Sequence, residues 1–332
     1  MGTCIKKIEY YLPETVFGNK DLECAFPGWN SSKYEKKIGI HQRHITRENE
    51  TSLDLAFQAA QKLFKDYNKD DVDFLILCTQ SPDYFLPTSA CVLQDKLGLR
   101  TTIGAFDFNL GCSGFVYGLA IAKGLILANL AGSVLLITSE TYSKFLHPKD
   151  RSNRIIFGDG AAATLIEKSE KDFIKEFSLG TNGSGCNNLI VKNGAARNRF
   201  DKNTQEIEYS PGNITTDNHL YMNGPAIFNF TIEAIPVVIE DVLKKNQLNM
   251  EQVDYFIFHQ ANKYMLDYLR TKMNISKEKF YINMENTGNT VSATIPIALK
   301  DCMDNKIIKT GDKVLLVGFG VGYSWGATVI EI

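Results

Sequence analysis

Metal-ligand spacings are missing from this chain of 332 residues: it contains no C-x-x-C pair and no H-E-x-x-H, and its five histidines are scattered. That excludes the common structural and hydrolytic zinc sites, and no metal is expected. Seven cysteines, an odd number, do not make a disulfide framework and point to the reducing cytoplasm. A surplus of one charge is missing too. The formal net charge is −2, so neither nucleic acid nor an anionic membrane surface is implied as a partner. The first residues lack the apolar stretch of a signal peptide, and Lys6 stands where a myristoylated sequence needs Ser or Thr. The nearest approach to a membrane span is 109–139, whose one charge is Lys123. Gly132-Ser133 divides it into a helix-length piece and a β-rich run, Val134 to Thr138, which reads as a buried helix followed by a buried strand.

What the chain does have is length, apolar content and an internal repeat. With 44% hydrophobic residues it can bury a large core, as one big domain or two smaller ones. Asp70-Asp-Val-Asp-Phe-Leu-Ile-Leu-Cys78 resembles Glu251-Gln-Val-Asp-Tyr-Phe-Ile-Phe-His259, and Gly132-Ser-Val-Leu-Leu-Ile137 resembles Asp312-Lys-Val-Leu-Leu-Val317. Val72 and Val134 lie 62 positions apart, Val253 and Val314 61. Two strand signals recurring at one spacing predict duplicated halves, 1–170 and 171–332, each alternating strands and helices. Between the strand signals, each half carries a strand-then-helix unit, one around Cys112 and one around Asn289. The repeat places these two residues at corresponding helix entrances that meet in one pocket if the halves pack about a pseudo-twofold axis.

Cys112 is the leading nucleophile candidate. In Phe106-Asp-Phe-Asn-Leu-Gly-Cys112-Ser-Gly114 an apolar strand runs into an apolar helix. A thiol in the first helical turn faces unpaired N–H groups and the positive end of the helix dipole, which favour thiolate. Cys78, Cys91 and Cys302 read as inert buried thiols. His259 closes a strand pattern ahead of Gln260-Ala-Asn262 and a helical run, a good place for a side chain that meets substrate. His41, His44, His147 and His219 have no such setting. The loop Asn286-Thr-Gly-Asn-Thr290 supplies amide donors. The run Gly318-Phe-Gly-Val-Gly-Tyr-Ser-Trp-Gly326 lets backbone approach a ligand closely. It is no dinucleotide loop, because a strand pattern follows where that fingerprint needs a helix.

Cys112 in Gly-Cys-Ser-Gly-Phe, His259 in His-Gln-Ala-Asn and Asn289 in Asn-Thr-Gly-Asn-Thr together resemble the β-ketoacyl-acyl-carrier-protein synthase III family. So do Arg151-Ser-Asn-Arg-Ile-Ile-Phe-Gly-Asp-Gly160 and the terminal Gly-Phe-Gly-x-Gly-x-x-Trp-Gly run. The resemblance covers almost the whole chain. It implies an α/β thiolase-like fold of two similar mixed-sheet halves packed as a five-layered α-β-α-β-α core, and a homodimer. It implies a decarboxylating Claisen condensation: an acyl thioester loads Cys112, and a malonyl thioester on a carrier protein loses carbon dioxide and attacks the acyl group. The backbone N–H groups of Cys112 and Val321 would form the oxyanion hole, and His259 Nε2 and the Asn289 amide would donate to the enolate oxygen. No cofactor is implied, only acyl-coenzyme A or acyl-carrier-protein and malonyl thioesters as substrates. Arg151, Phe228, Gly224, Asn262, Lys37 and Leu86 match the family's substrate positions, Arg151 with a fork suited to phosphate.

Four departures bear on the substrate. Lys33 and Lys37 stand where the family has an adenine-stacking tryptophan and an arginine, which costs stacking and bidentate contact. Tyr264 replaces an arginine of the carrier-protein patch, with Lys263, Arg270 and Lys272 as candidate substitutes. Leu86 takes a pocket position held by phenylalanine in acetyl-selective members. The segment 180–220 is longer and more polar than the family needs, and either shapes the entrance or is a solvated insertion. A type III polyketide-synthase-like enzyme and a catalytically silent thiolase-fold partner subunit are the alternatives. The first shares the Cys/His/Asn trio but is usually longer; the second would have lost part of it.

Overall fold

The computed structural model describes residues 2–332. Two five-stranded mixed sheets form its frame, built from the apolar runs that the repeat marked. In the first, Phe74–Cys78 pairs in parallel with Ser133–Glu140 on one side and Gly104–Phe108 on the other, while Gly160–Ser169 and Gly2–Tyr11 continue the sheet antiparallel. In the second, Tyr255–Phe258 pairs in parallel with Lys313–Gly320 and Phe280–Tyr281, and Ser324–Glu331 and Ile174–Thr181 complete it antiparallel. The repeat extends to register. Phe74 faces Val134 in one sheet and Tyr255 faces Val314 in the other, each two residues beyond the repeated valine. These central strands are buried on both faces, which is why they read as unbroken apolar runs.

Five layers result. Helix Ser52–Leu63 covers the outer face of the first sheet, helix Gly224–Lys245 that of the second, and helices Gly114–Leu127 and Thr294–Asp304 lie between the sheets. The segment 109–139 divides as expected into the helix Gly114–Leu127 and the strand Ser133–Glu140, and no described helix is long and apolar enough to cross a membrane. Phe115, Val116, Leu119 and Ile126 are fully buried, each worth roughly 1.5–3 kcal/mol relative to exposure. The helix's one charge, Lys123, is buried against Asp172 at 2.6 Å, tying it to the chain just before the second half's first strand.

The two inner helices start alike: their N-cap residues, Ser113 and Ala293, share φ −86° and ψ −8°. Matching the starts makes Ser292, not Asn289, the residue that corresponds to Cys112. Asn289 lies three positions earlier, because a short 3₁₀ turn, Val291–Ala293, precedes the second helix. Spacing alone placed the entrances but not the residue.

Candidate active site

Cys112 sits just outside its helix rather than in the first turn, since Ser113 is the N-cap. It is buried, and its thiol is pushed up to about 12, first by burial and then by the carboxyl of Glu140. The sequence argument for a ready thiolate is therefore corrected: desolvation outweighs the helix end, and the resting group is a thiol. Two backbone donors oppose that shift, the N–H groups of Cys112 and Val321, both directed at the sulfur. They are the pair that the family resemblance implied as an oxyanion hole. Glycine at 320 makes this approach possible, because a Cβ there would lie 2.8 Å from both Cβ and Sγ of Cys112.

His259 follows the strand Tyr255–Phe258, and its N–H donates to the Val317 carbonyl at 2.8 Å. Its Nδ1 lies 2.7 Å from Thr294 Oγ1, whose hydroxyl donates to the Val291 carbonyl at 3.0 Å. A hydroxyl has one proton, so Nδ1 carries the ring proton and Nε2 is bare. Burial holds the imidazole neutral, its pKa lowered to about 3. This revises the expected pair of enolate donors: at rest Nε2 accepts, and it donates only after taking up a proton. Asn289 Nδ2, 3.5 Å from Nε2, is the donor already in place. Its orientation is fixed, because Val291 N–H occupies Asn289 Oδ1 at 2.9 Å and leaves the NH2 facing His259. Val291 does so at φ +56°, a strained setting for a β-branched residue. The Asn289 backbone is in turn held between Ile156 and Gly158, which explains the Ile-Ile-Phe-Gly segment.

The neutral imidazole has a measurable consequence. In the free protein, NMR titration of His259 is expected to show no midpoint between pH 8 and 5, with the proton on Nδ1 throughout. A midpoint near 6.5 would refute this placement. Because the folded value is depressed, the stability it confers is present above pH 6.5 and is lost as pH falls toward 3.

Comparisons with known proteins agree on one family. The model for the C-terminal part of 3-oxoacyl-[acyl-carrier-protein] synthase III matches residues 243–332, and the model for 3-oxoacyl-[acyl-carrier-protein] synthase III matches 106–183. A β-ketoacyl-[acyl-carrier-protein] synthase III of Clostridium perfringens is 36% identical over 325 residues, 97% of either chain. That of Fusobacterium nucleatum is 35% identical over 98% of each. A crystal structure of 3-oxoacyl-(acyl-carrier-protein) synthase III superposes with a TM-score of 0.98 at 46% identity over the full length of both chains. The chain belongs to the β-ketoacyl-[acyl-carrier-protein] synthase III family. It is a condensing acyltransferase of thiolase-like fold.

The substrate positions carried over from the synthase III resemblance part company. Arg151 and Gly224 line one cavity of about 510 Å³ together with Trp29, Tyr34, Ile38 and Ile156. Tyr209 and Ser210 of the polar segment 180–220 line it too, as does Tyr221 just beyond that segment. Tyr209 is pinned there by donating to Asp150 at 2.7 Å. Asn262 caps helix Lys263–Lys272 by accepting from Met265 N–H. Phe228 stacks on Tyr264, which also carries Lys37 Nζ at 4.7 Å from its ring centre. Leu86 is 82% exposed beside Tyr84 and Phe85 and does not line this cavity. Lys263 and Arg270 both approach Asp267, and Lys272 donates to the Ile232 carbonyl, so none is a free substitute for an arginine at 264. Cys78 and Cys302 are buried as expected, whereas Cys91 is exposed because it falls on the outer side of helix Ser89–Leu97.

Sequence reasoning missed Trp29 and Tyr34. Lys33 appeared to remove stacking from the entrance, yet Trp29 and Tyr34 stack at 5.4 Å and the Arg151 guanidinium lies 5.9 Å from the Trp29 ring. The signal was present, four residues before Lys33, but a gap-free comparison hides it. Glu140 was missed as well, because nothing in a strand-end Ser-Glu announces a buried carboxyl.

Proposed function

We propose that Cys112 carries the acyl group, that Asn289 with a protonated His259 stabilises the enolate, and that residues 1–170 and 171–332 are two units supplying them. The observation that carries this reading is the convergence of the Cys112 and Val321 N–H groups on the sulfur, together with an amide fixed with its NH2 toward His259. Cys112 attacks the acyl thioester, its proton passes to bare His259 Nε2 and from there to the departing carrier thiolate, and Nε2 then takes up a proton from solvent before the malonyl thioester reacts. The malonyl carbon–carboxylate bond then breaks, releasing carbon dioxide and leaving its electron pair as an enolate. The enolate carbon bonds to the acyl carbonyl, and the Cys112 thiolate is expelled and takes the proton held by His259, leaving Nε2 bare again. Donors are acyl-coenzyme A or acyl-carrier protein, and the extender is malonyl-carrier protein, with no metal or organic cofactor. Trp29, Tyr34 and Arg151 suit a nucleotide: a flat apolar face and a phosphate fork.

A homodimer is part of the proposal. The outer edge of strand Gly104–Phe108 is unpaired, and Tyr84, Phe85 and Leu86 are 60%, 84% and 82% exposed, features that a second copy would cover. Leu86 would then influence the acyl chain only across that interface. Seven unpaired cysteines support a cytoplasmic setting.

Incubation with a panel of acyl-coenzyme A, acyl-pantetheine and acyl-carrier-protein donors, read by intact mass, tests the reading. A donor-specific acyl adduct is expected. Trp29→Ala is expected to slow loading from acyl-coenzyme A about tenfold while sparing acyl-pantetheine, since base stacking contributes roughly 1–3 kcal/mol. No adduct from any donor would reject the acyl-enzyme.

A further inference from the structure

The pseudo-twofold relation that builds the active site also builds its counterpart, and the counterpart is occupied differently. Cys112 corresponds to Ser292 by the matched helix starts. His259 corresponds to Cys78 by the sequence repeat, and Gly320 to Glu140 by the register of the two central strands. In the active site, Gly320 leaves room for the thiol. In the mirrored position a glutamate fills that room, and its carboxyl reaches the residue equivalent to the nucleophile. Glu140 is fully buried, and Ser292 Oγ donates to its Oε1 at 3.0 Å. Oε2 accepts from Gln80 N–H at 3.0 Å and from Ser81 Oγ at 3.1 Å. These donors are neutral, and Glu140 forms no salt bridge among the described residues.

Two of these contacts, through Ser292 and Gln80, lead on toward reacting groups. On one side Ser292 adjoins strained Val291, whose N–H fixes the Asn289 amide. On the other, Gln80 donates through Nε2 to Asn109 Oδ1 at 2.9 Å and accepts from Tyr142 OH at 2.6 Å, bracing the loop that ends in Cys112. We propose that Glu140 is a positioning residue of the condensation, joining the turn behind Cys112 to the loop that carries Asn289 so that nucleophile and enolate donor share one frame. A buried carboxyl without a cation is costly to keep, which a packing role alone does not require. This inference rests on the acyl-Cys112 reading above.

The frame predicts a split between the two half-reactions. Loading needs Cys112 and two backbone donors, whereas condensation needs Cys112 and Asn289 in register. Glu140→Asp keeps the carboxyl but is one methylene too short to span Ser292 and Gln80, and Ser292→Ala removes one end of the span. Both are expected to load at within about threefold of wild type and to condense about 100-fold more slowly from the pre-loaded state, the cost of roughly 1 Å of misplacement. Glu140→Gln gives a readout that scaffolding would not move. Titratable groups around the thiol are Glu140 from the first sheet's central strand, Cys78 from its neighbour and Tyr142 beyond it, with Asp159 acting on Glu140, whose carboxyl burial pushes up to about 8. Glu140 opposes Cys112 ionisation, so its removal is expected to move the pH profile of Cys112 alkylation to lower pH, while Ser292→Ala leaves that profile in place. Loading and condensation falling by one common factor, condensation unchanged in Ser292→Ala, or an unmoved profile in Glu140→Gln would each overturn the inference. Wild type measured alongside separates the two readings: if it fails to load, the acyl-Cys112 reading falls and this one with it; if it loads and condenses while the variants match it, only this one falls.

Discussion

Cys112→Ala is expected to fold, to show no acyl adduct with any donor, and to lose condensation by about 10⁴-fold or more, the scale on which removal of a covalent nucleophile registers. The protein is expected to tolerate the change because the side chain abuts Gly320 and makes no structural bond of its own beyond the two N–H groups it faces. The same variant is also expected to keep a slow release of carbon dioxide from malonyl-carrier protein. Asn289 and His259 are held by Val291, Thr294 and Ile156 rather than by the thiol, so the enolate side survives its removal. Intact mass for the adduct and labelled carbon dioxide for the decarboxylation separate the two. Loss of both, with the fold intact, would place Cys112 among the groups that shape the malonyl site and would reject the division of labour drawn here.

The placing of Cys112, His259 and Asn289 near strand ends and helix entrances was legible in the sequence, while their roles came from the family resemblance. The central strands and the two inner helices follow from apolar runs and one recurring spacing, and His259 and Asn289 do come together. What the sequence could not give was protonation. A helix start argued for thiolate, but the thiol lies outside the helix and under Glu140, and desolvation decides the sign. The tautomer of His259 depends on where a threonine hydroxyl points, 35 residues away. Distances of this kind belong to packing between elements far apart in the sequence, which a periodic pattern does not encode. The surroundings of Arg151 were hidden for a different reason: only the folded loop brings Trp29, four residues before Lys33, beside its guanidinium.

Asn289→Asp is the second large effect and the more discriminating one. The substitution preserves size and keeps an oxygen for Val291 N–H, so the strained turn is expected to persist. What changes is the atom turned toward His259: an NH2 becomes a second carboxylate oxygen, an acceptor that faces the developing negative charge of the enolate. Loss of one fixed donor to an oxyanion costs about 10²–10³-fold, and the added like charge deepens it, so condensation is expected to fall by at least about 10³-fold. Loading uses the N–H groups of Cys112 and Val321 instead and is expected to stay within about threefold of wild type. The new carboxylate also favours an imidazolium at His259, raising its depressed value, and a histidine midpoint entering the range above pH 5 by NMR is the expected companion signal. Equal condensation rates in the two proteins would remove Asn289 from the enolate site, and equal losses in loading and condensation would make it a scaffold for Cys112 rather than a donor to substrate.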